Sequence, residues 1–274
     1  MFIHKVMTAL FAAASAVAVG ATAGDTYVLT LPGGEKMMLI YCAPGEFMMG
    51  SENGERDEKP VHKVRLTHGF WMGKYEVTQK QWKSVMGTNP SARKGDRLPV
   101  DSVRYEDCIE FLRKIETHCY GVRAWLPTEA QWEYACRAGT TGDYAGVIDL
   151  MGWHFGNSGR RPHPVGELLP NDWGFCDMHG NVWELCRDKY LEDYYLKSPI
   201  DDPPGAGMPS RHDLLEAHRK GVFGRLAFPR AHVMRGGCWL LDVRDCRSAR
   251  RHAITFGFVP DELIGFRICC VLPD

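Results

Sequence analysis

Two cysteines near the C-terminal end of the sequence have the side chains best suited to redox or metal chemistry. Cys238 and Cys246 lie eight positions apart in the segment RGGCWLLDVRDCRSARR. Arg244 and Arg247 would favour the thiolate form of Cys246, which is the reactive form. The same pair is equally compatible with two buried thiols or two disulfide partners, because an unreactive cysteine behaves as a small hydrophobic residue.

A second group of chemically capable residues lies in the segment DMHGNVWE, residues 177–184. Gly180 and Asn181 permit a tight turn that directs main-chain carbonyls and the carboxylates of Asp177 and Glu184 towards one point. Such an oxygen-rich arrangement is typical of Ca²⁺ sites. The alternative is a metal-free turn whose carboxylates pair with neighbouring arginines.

Two arginines frame the C-terminal region. Arg235 precedes the paired glycines, and Arg267 ends the segment IGFR. A planar guanidinium pairs bidentately with a carboxylate, and such a pair is stable in the interior of a protein. We therefore expect both side chains to hold the C-terminal strands rather than to contact a substrate.

The elements that would position these residues are short. Alternating patterns predict strands over TYVLTL, MMLIYC, EFMMG, KVRL and FWMGKYEV. Capping boxes at Thr78 and Thr128 predict helices that run to Gly87 and Gly139, and apolar spacing predicts another from Tyr105 to His118, closed by Gly121. Regular patterning fades after Gly139, and residues 198–232 form a long Pro-, Gly- and base-rich loop. This is the pattern of a loop-rich α+β protein with a single domain over residues 24–274.

Composition and the first residues indicate an exported protein. A basic start, an apolar run and a small-residue cleavage pattern predict a signal peptide over residues 1–23, with no transmembrane anchor left after cleavage. Its removal leaves 32 basic against 34 acidic residues, a balance that gives no support to nucleic-acid binding. The expected location is the periplasm, the cell surface or the medium. There the even count of ten cysteines would favour disulfides, although free thiols remain an alternative.

Nine segments occur in one order along the chain: GEFMMGS, KPVHKVRL, KYEVTQKQW, LPVDSVRYEDC, WLPTEAQWEYACRAG, NDWGFCDMHGNVWEL, RGGCW, CRSARR and IGFR. Together they resemble the formylglycine-generating enzyme, or sulfatase-modifying factor, domain family from about Met38 to Ile268. The resemblance implies a compact α+β fold with little regular secondary structure, distantly similar to C-type lectin domains. It also implies an oxidase that converts a sulfatase cysteine to formylglycine with oxygen and copper.

The resemblance implies two metal sites. Calcium is expected on the side chains of Asp177 and Glu184 and the carbonyls of Gly180 and Val182. Copper is held in the family by two cysteines five residues apart, a pair of soft thiolates suited to Cu(I).

This sequence departs from the copper pattern. Cys246 occupies the second ligand position, but Leu241 occupies the first, and a hydrocarbon cannot coordinate copper. Cys238 stands where the family has the Ser of its RGGS-like motif, so Cys238 and Cys246 are the nearest substitute pair, at a wider spacing. The standard oxidase mechanism is therefore not expected.

The favoured function is recognition of a peptide or glycan ligand. The former active-site groove would be lined by residues of the C-terminal turn, with residues 252–263 opposite: Trp239, Leu240, Leu241, Asp242, Arg244 and Asp245. One alternative is a formylglycine-generating oxidase that uses an altered cysteine pair and has a sulfatase as its partner. Another is a structural or surface-assembly protein that meets a partner chain through residues 198–232.

Overall fold

A computed structural model describes residues 21–206, 231–255 and 261–273. Short strands and helices alternate along it, joined by turns and loops, and the α+β prediction is confirmed. The elements are β1 Thr26–Thr30, β2 Lys36–Cys42, β3 Gly45–Met49, β4 His62–Leu66, β5 Phe70–Gly73, α1 Gln79–Met86, α2 Tyr105–His118, β6 Arg123–Trp125, α3 Glu129–Arg137, α4 Ile148–Met151, β7 Trp183–Lys189, β8 Ala231–Arg235, β9 Arg251–Thr255, β10 Ile264–Gly265 and β11 Cys269–Val271.

The described strands form three sheets. The largest has the order β1-β2-β5-β11-β6, and all its neighbours are antiparallel. A four-stranded sheet, in the order β10-β7-β8-β9, carries the C-terminal residues of interest, and β10 pairs with β7 in parallel. Strands β3 and β4 form a separate hairpin. Both candidate sites adjoin the four-stranded sheet, since β7 begins within the 177–184 segment and β8 leads into the paired glycines.

The helix starts agree with the capping predictions. The hydroxyls of Thr78 and Thr128 each accept a hydrogen bond from the backbone N–H of the glutamine three residues on, and the side-chain oxygen of that glutamine accepts one from the threonine N–H. Helix α1 ends at Gly87 in a left-handed conformation, as expected. Helix α2 has the predicted limits, but it is closed by Cys119 rather than Gly121.

Two hydrophobic clusters lie on the two faces of the large sheet. One packs against α1 and α2, where the rings of Trp82 and Phe111 stack with centroids 5.3 Å apart. The other packs against α3 around Trp132. Cys270 belongs to the first cluster and Cys269 to the second, because successive strand residues face opposite sides.

Three parts of the sequence prediction need correction. Strand β5 ends at Gly73, whereas the pattern FWMGKYEV suggested a strand as far as Val77. Strand β7 lies in a stretch where no regular structure was predicted. The predicted loop 198–232 ends earlier, because β8 begins at Ala231, and residues 207–230 of it lie outside the described residues.

The predicted signal peptide also falls largely outside the described residues, because the description begins at Ala21. Within the described part of the chain, none of the helices has the length and apolar character needed to cross a membrane.

Candidate functional site

Paired glycines shape the turn that contains the two cysteines. Gly236 and Gly237 follow β8 with φ of +95° and +76°, values that L-residues rarely adopt. A Cβ on Gly237 would lie 2.6 Å from Sγ of Cys246, so the chain closes tightly on that thiol. A short 3₁₀ helix, Val243–Cys246, completes the turn, and the carboxylate of Asp242 accepts the backbone N–H of Arg244 at 3.1 Å.

Both cysteines of the turn are buried, free thiols. Burial raises the pKa of Cys238 to about 12. Burial, with a smaller contribution from Cys238, also raises the pKa of the Cys246 thiol. The two thiols are therefore protonated at neutral pH, whereas copper ligation and nucleophilic attack both require the thiolate.

The residues of this turn do not fit the family's copper ion. Leu241 is partly buried and packs against the core cluster beside α1 and α2, so the first ligand position holds a hydrocarbon in apolar surroundings. Cys246 stands alone at the second position. No catalytic step through copper follows from this arrangement.

The predicted binding residues divide into buried and exposed ones. Trp239 is only 3% exposed, and the guanidinium of Arg93 lies 5.6 Å from its ring centroid. It supports the turn from within and does not face a ligand. Leu240 is 40% exposed, and Asp242 and Arg244 are exposed and paired at 2.9 Å.

Two predictions about the binding groove remain: Asp245 as a lining residue, and residues 252–263 as its opposite wall. Asp245 is partly buried and pairs with Arg250 at 3.1 Å. Of residues 252–263, positions 256–260 lie outside the described residues. On the far side of that gap, Glu262 lies 3.7 Å from Arg93, close to Trp239.

Phe155 is a neighbour of the turn that the sequence did not reveal. Its backbone N–H donates to the carbonyl of Leu241 at 2.8 Å, and its ring is 47% exposed. The guanidinium of Arg160 lies 5.0 Å from the ring centroid. We call Phe155, Arg160, Leu240, Asp242 and Arg244 the turn surface. The signal in the sequence was an aromatic residue shortly before an Arg pair, in the segment HFGNSGRRPHP.

The tight turn predicted around Gly180 is present. Asp177 and Asn181 have φ near +60°, and Gly180 has φ of +124°. A Cβ on Gly180 would approach the carbonyl oxygen of Trp153 to 2.1 Å, so only glycine fits. The turn brings Asp177 and Glu184 into the interior, where both are at most 1% exposed.

A third buried carboxylate, Glu76, joins this pair. It accepts hydrogen bonds from the side chain of Asn181 at 3.1 Å and the backbone N–H of Val182 at 3.3 Å. Burial, reinforced by Asp177 and Glu184, raises the pKa of Glu76 well above its ordinary range. Sequence reasoning missed Glu76 because it lies in KYEVT, about a hundred residues before the turn.

Arg267 is the cation opposite these carboxylates. It binds Glu184 bidentately at 2.6 and 2.7 Å, which confirms its predicted role. Glu184 also accepts the indole N–H of Trp132 at 2.9 Å. Oδ2 of Asp177 accepts the N–H of Gly166, but Oδ1 is buried with no hydrogen-bond partner in the described structure. Burial raises the pKa of Asp177 to about 6.

These residues fit a cation in part. One arginine faces three buried carboxylates, and Oδ1 of Asp177 lacks a donor, so a cation would relieve both the charge excess and the unpaired oxygen. Glu184, in contrast, already uses both oxygens. Across residues 21–206, 231–255 and 261–273, no three His, Cys, Asp or Glu side chains converge as a metal-binding group. A cation here would depend on the carbonyls of Gly180 and Val182 for the rest of its ligands.

Buried ion pairs fasten the turn to the rest of the protein. Arg235 contacts Glu133 and the carbonyls of residues 248–250, so its predicted carboxylate pairing is confirmed. Arg247 binds Glu58 at 2.6 and 2.7 Å. Arg251 binds Glu129 at 2.6 and 3.1 Å. The turn therefore has a fixed position relative to α3.

The sequence is similar to several curated proteins. Residues 32–271 match the family model of the sulfatase-modifying factor enzyme 1-like domain. The chain is 29% identical over 253 residues to the serine/threonine-protein kinase pkn1 of Chlamydia caviae, which covers 84% of this chain and 37% of the kinase. It is 28% identical over 229 residues to the formylglycine-generating enzyme of Streptomyces coelicolor, or 77% of this chain and 59% of that enzyme. The chain spans less than two thirds of either relative.

Solved structures establish the fold. Treponema denticola variable protein 1 superposes with a TM-score of 0.74 and 25% identity, over 90% of this chain and 98% of its own. PvdO from Pseudomonas aeruginosa superposes with a TM-score of 0.75 and 22% identity, over 92% of this chain and all of its own. The protein has the formylglycine-generating-enzyme-like fold, distantly similar to C-type lectins, and its chain belongs to the sulfatase-modifying factor enzyme 1-like domain family.

Proposed function

We propose that this protein is an exported binding domain that recognises a peptide or glycan through the turn surface and has no copper oxidase activity. The observation that carries the proposal is Leu241, which puts a hydrocarbon in the first copper position. Cys246, the remaining ligand, is a buried thiol with a raised pKa. The turn surface presents an aromatic ring, a leucine and charged groups at fixed positions. This combination is suited to the recognition of a ligand.

The turn surface is tested by substitutions of exposed residues. We expect Leu240→Asp and Phe155→Ala each to weaken ligand capture on peptide and glycan arrays by about tenfold or more, the loss of one good apolar contact. Trp239→Ala is unsuitable, because Trp239 is buried and its loss would perturb the fold. Leu196→Asp is the matched control, since Leu196 is 73% exposed and lies in a separate 3₁₀ turn, Tyr194–Leu196. Capture that is unchanged in both turn variants would contradict the proposal.

The same proposal gives calcium a structural role at Asp177 and Glu184, with the carbonyls of Gly180 and Val182. We expect calcium at about 100 times its dissociation constant to raise the melting temperature at pH 7 by roughly 5 °C relative to chelator. Asp177→Asn should abolish most of this rise, and Mg²⁺ should not replace calcium. Equal melting temperatures with calcium and with chelator would count against the site.

The calcium effect should depend on pH. The pKa of Asp177 is raised by burial from 3.8 to about 6, so without a cation the folded state holds a proton that the unfolded state releases between these values. Stability of the metal-free protein then falls as the pH rises from 3.8 to about 6. Calcium replaces that proton, so we expect a larger rise in melting temperature at pH 7 than at pH 5. An equal rise at both pH values would contradict a role for Asp177 as ligand.

A formylglycine-generating oxidase is the second candidate, favoured by the similarity to the Streptomyces coelicolor enzyme. It would need Cys246 together with Cys238 to act as the redox pair. Both thiols lie in the same turn and both are protonated, so the candidate requires their pKa values to fall when metal binds. Its partner would be a sulfatase.

A further inference from the structure

One arginine of the turn surface, Arg160, and its neighbour Arg161 lack an acidic partner in the described part of the chain. Arg160 and Arg161 are both exposed, and Arg160 contacts the ring of Phe155. In the part of the chain that the structure describes, no carboxylate lies within 4.0 Å of either guanidinium. Two neighbouring positive charges therefore face solvent next to the turn.

The acidic groups nearby already have other partners. Asp242 pairs with Arg244 at 2.9 Å, and Glu262 lies 3.7 Å from Arg93. Asp149 accepts a hydrogen bond from the ring of His154 at 2.8 Å. None of these three carboxylates forms an ion pair with Arg160 or Arg161.

The backbone of Arg160 is attached to the turn through Ser158. The hydroxyl of Ser158 donates to the carbonyl of Trp239 at 2.7 Å and accepts the backbone N–H of Arg160 at 3.1 Å. Arg93 contacts the ring of the same tryptophan. Ser158 thus fixes the backbone of Arg160 to the turn, and Arg93 packs on the tryptophan of the same turn.

Two exposed leucines form an apolar strip near Arg160 and Arg161. Leu150 is 51% exposed and Leu169 is 59% exposed, and the N–H of Leu169 donates to the carbonyl of Leu150 at 2.8 Å. Asp149, the neighbour of Leu150 on α4, contacts His154, the neighbour of Phe155, so the strip lies near the turn surface. Exposed aliphatic side chains such as Leu150 and Leu169 can bind the apolar side chains of a peptide. Sugars stack instead on flat aromatic faces, and the face of Phe155 is shared with Arg160.

We propose that the ligand of the turn surface is an acidic peptide segment, in which an apolar side chain lies on the strip and adjacent carboxylates pair with Arg160 and Arg161. This inference rests on the proposed function and narrows it to one ligand class. Carboxylates match the planar fork of arginine and form two parallel hydrogen bonds with it.

The test uses three sets of synthetic peptides that share an apolar centre of Leu or Phe and differ only in the flanking residues, which are Glu, Gln or Lys. We expect the Glu set to bind the full chain about tenfold or more tightly than the Gln set, and the Lys set to bind weakest. Added salt should weaken the Glu set most, because exposed charges are screened. The double variant Arg160→Glu, Arg161→Glu should lose the preference for Glu. The control variant Arg123→Glu, which changes an exposed arginine on β6, should retain the preference for the Glu set.

The outcomes separate this inference from the proposed function. Equal binding of the Glu and Gln sets, or an unchanged preference in the double variant, would overturn the acidic peptide. Capture of glycans alone, abolished by Phe155→Ala, would also overturn it and leave the proposed function standing. Capture of neither peptides nor glycans by the wild-type chain would overturn both.

Discussion

Replacement of Glu133 by Ala is expected to lower the free energy of unfolding by about 3–5 kcal/mol, the cost of breaking a buried ion pair from one side. Glu133 is fully buried and accepts hydrogen bonds from Arg137, Arg235 and the backbone N–H of Gly50. Its removal leaves Arg137 without a carboxylate partner in the interior and leaves Arg235 with only Glu129, at 3.7 Å. Denaturant unfolding at pH 7 measures the loss directly.

The pKa of Glu133 predicts how this contribution varies with pH. Burial alone would raise the pKa, but Arg137 and Arg235 outweigh burial and leave it below its ordinary value. A carboxyl group whose pKa is lowered by folding stabilises the folded state at neutral pH. This stabilisation is lost as the pH falls through the pKa of the folded state. The difference between wild type and Glu133→Ala should therefore shrink in acid.

The control for Glu133 is an exposed ion pair on α2. Glu110 binds Arg113 at 2.8 Å, and both side chains face solvent. Such pairs contribute about 1 kcal/mol or less, so Glu110→Ala should change the unfolding free energy only slightly. If Glu133→Ala and Glu110→Ala lowered the free energy of unfolding by the same small amount, the buried ion pairs would not be what holds the C-terminal turn in place.

Leu241→Cys is expected to bind Cu(I) much more tightly than the wild-type protein does. The substitution places a second thiolate donor at the first ligand position, with Cys246 at the other, and Cu(I) prefers two soft ligands. We expect the dissociation constant for Cu(I) to fall by about a hundredfold or more, equivalent to about 2.7 kcal/mol. Competition with a chromophoric Cu(I) chelator under reducing, oxygen-free conditions measures it.

Leu240→Cys controls for the effect of an added thiol. Leu240 is the exposed neighbour of Leu241, and the family has no copper ligand there, so this variant should resemble wild type. A wild-type protein that already holds one tightly bound Cu(I) between Cys238 and Cys246 would contradict the assignment of Leu241 as the missing ligand.

The sequence predicted those elements whose signal is local. The capping threonines defined α1 and α3, because a cap depends on residues three positions apart. The carboxylate pairing of Arg267 was also predictable, since a buried guanidinium needs an acidic partner.

The elements that were missed depend on distant contacts. Strand β7 has buried residues at four successive positions and so lacks the alternation that marks a half-exposed strand. Trp239 was expected to face a ligand, but its burial depends on Arg93 and Ser158, which are far away in the sequence. Glu76 and Phe155 reach their sites only through tertiary packing. The order of residues along the chain gives no signal for such long-range contacts.

The central claim is that this scaffold recognises a ligand and does not oxidise one. The most direct measurement incubates the full chain, and the Leu241→Cys variant in parallel, with a peptide that carries the sulfatase-type motif Cys-x-Pro-x-Arg. The mixture contains Cu(I), oxygen and a thiol reductant that supplies the two electrons the conversion needs, and the peptide is followed by mass spectrometry. We predict that the wild-type protein leaves the peptide cysteine unchanged. Conversion of that cysteine to formylglycine by the wild-type protein would contradict the account.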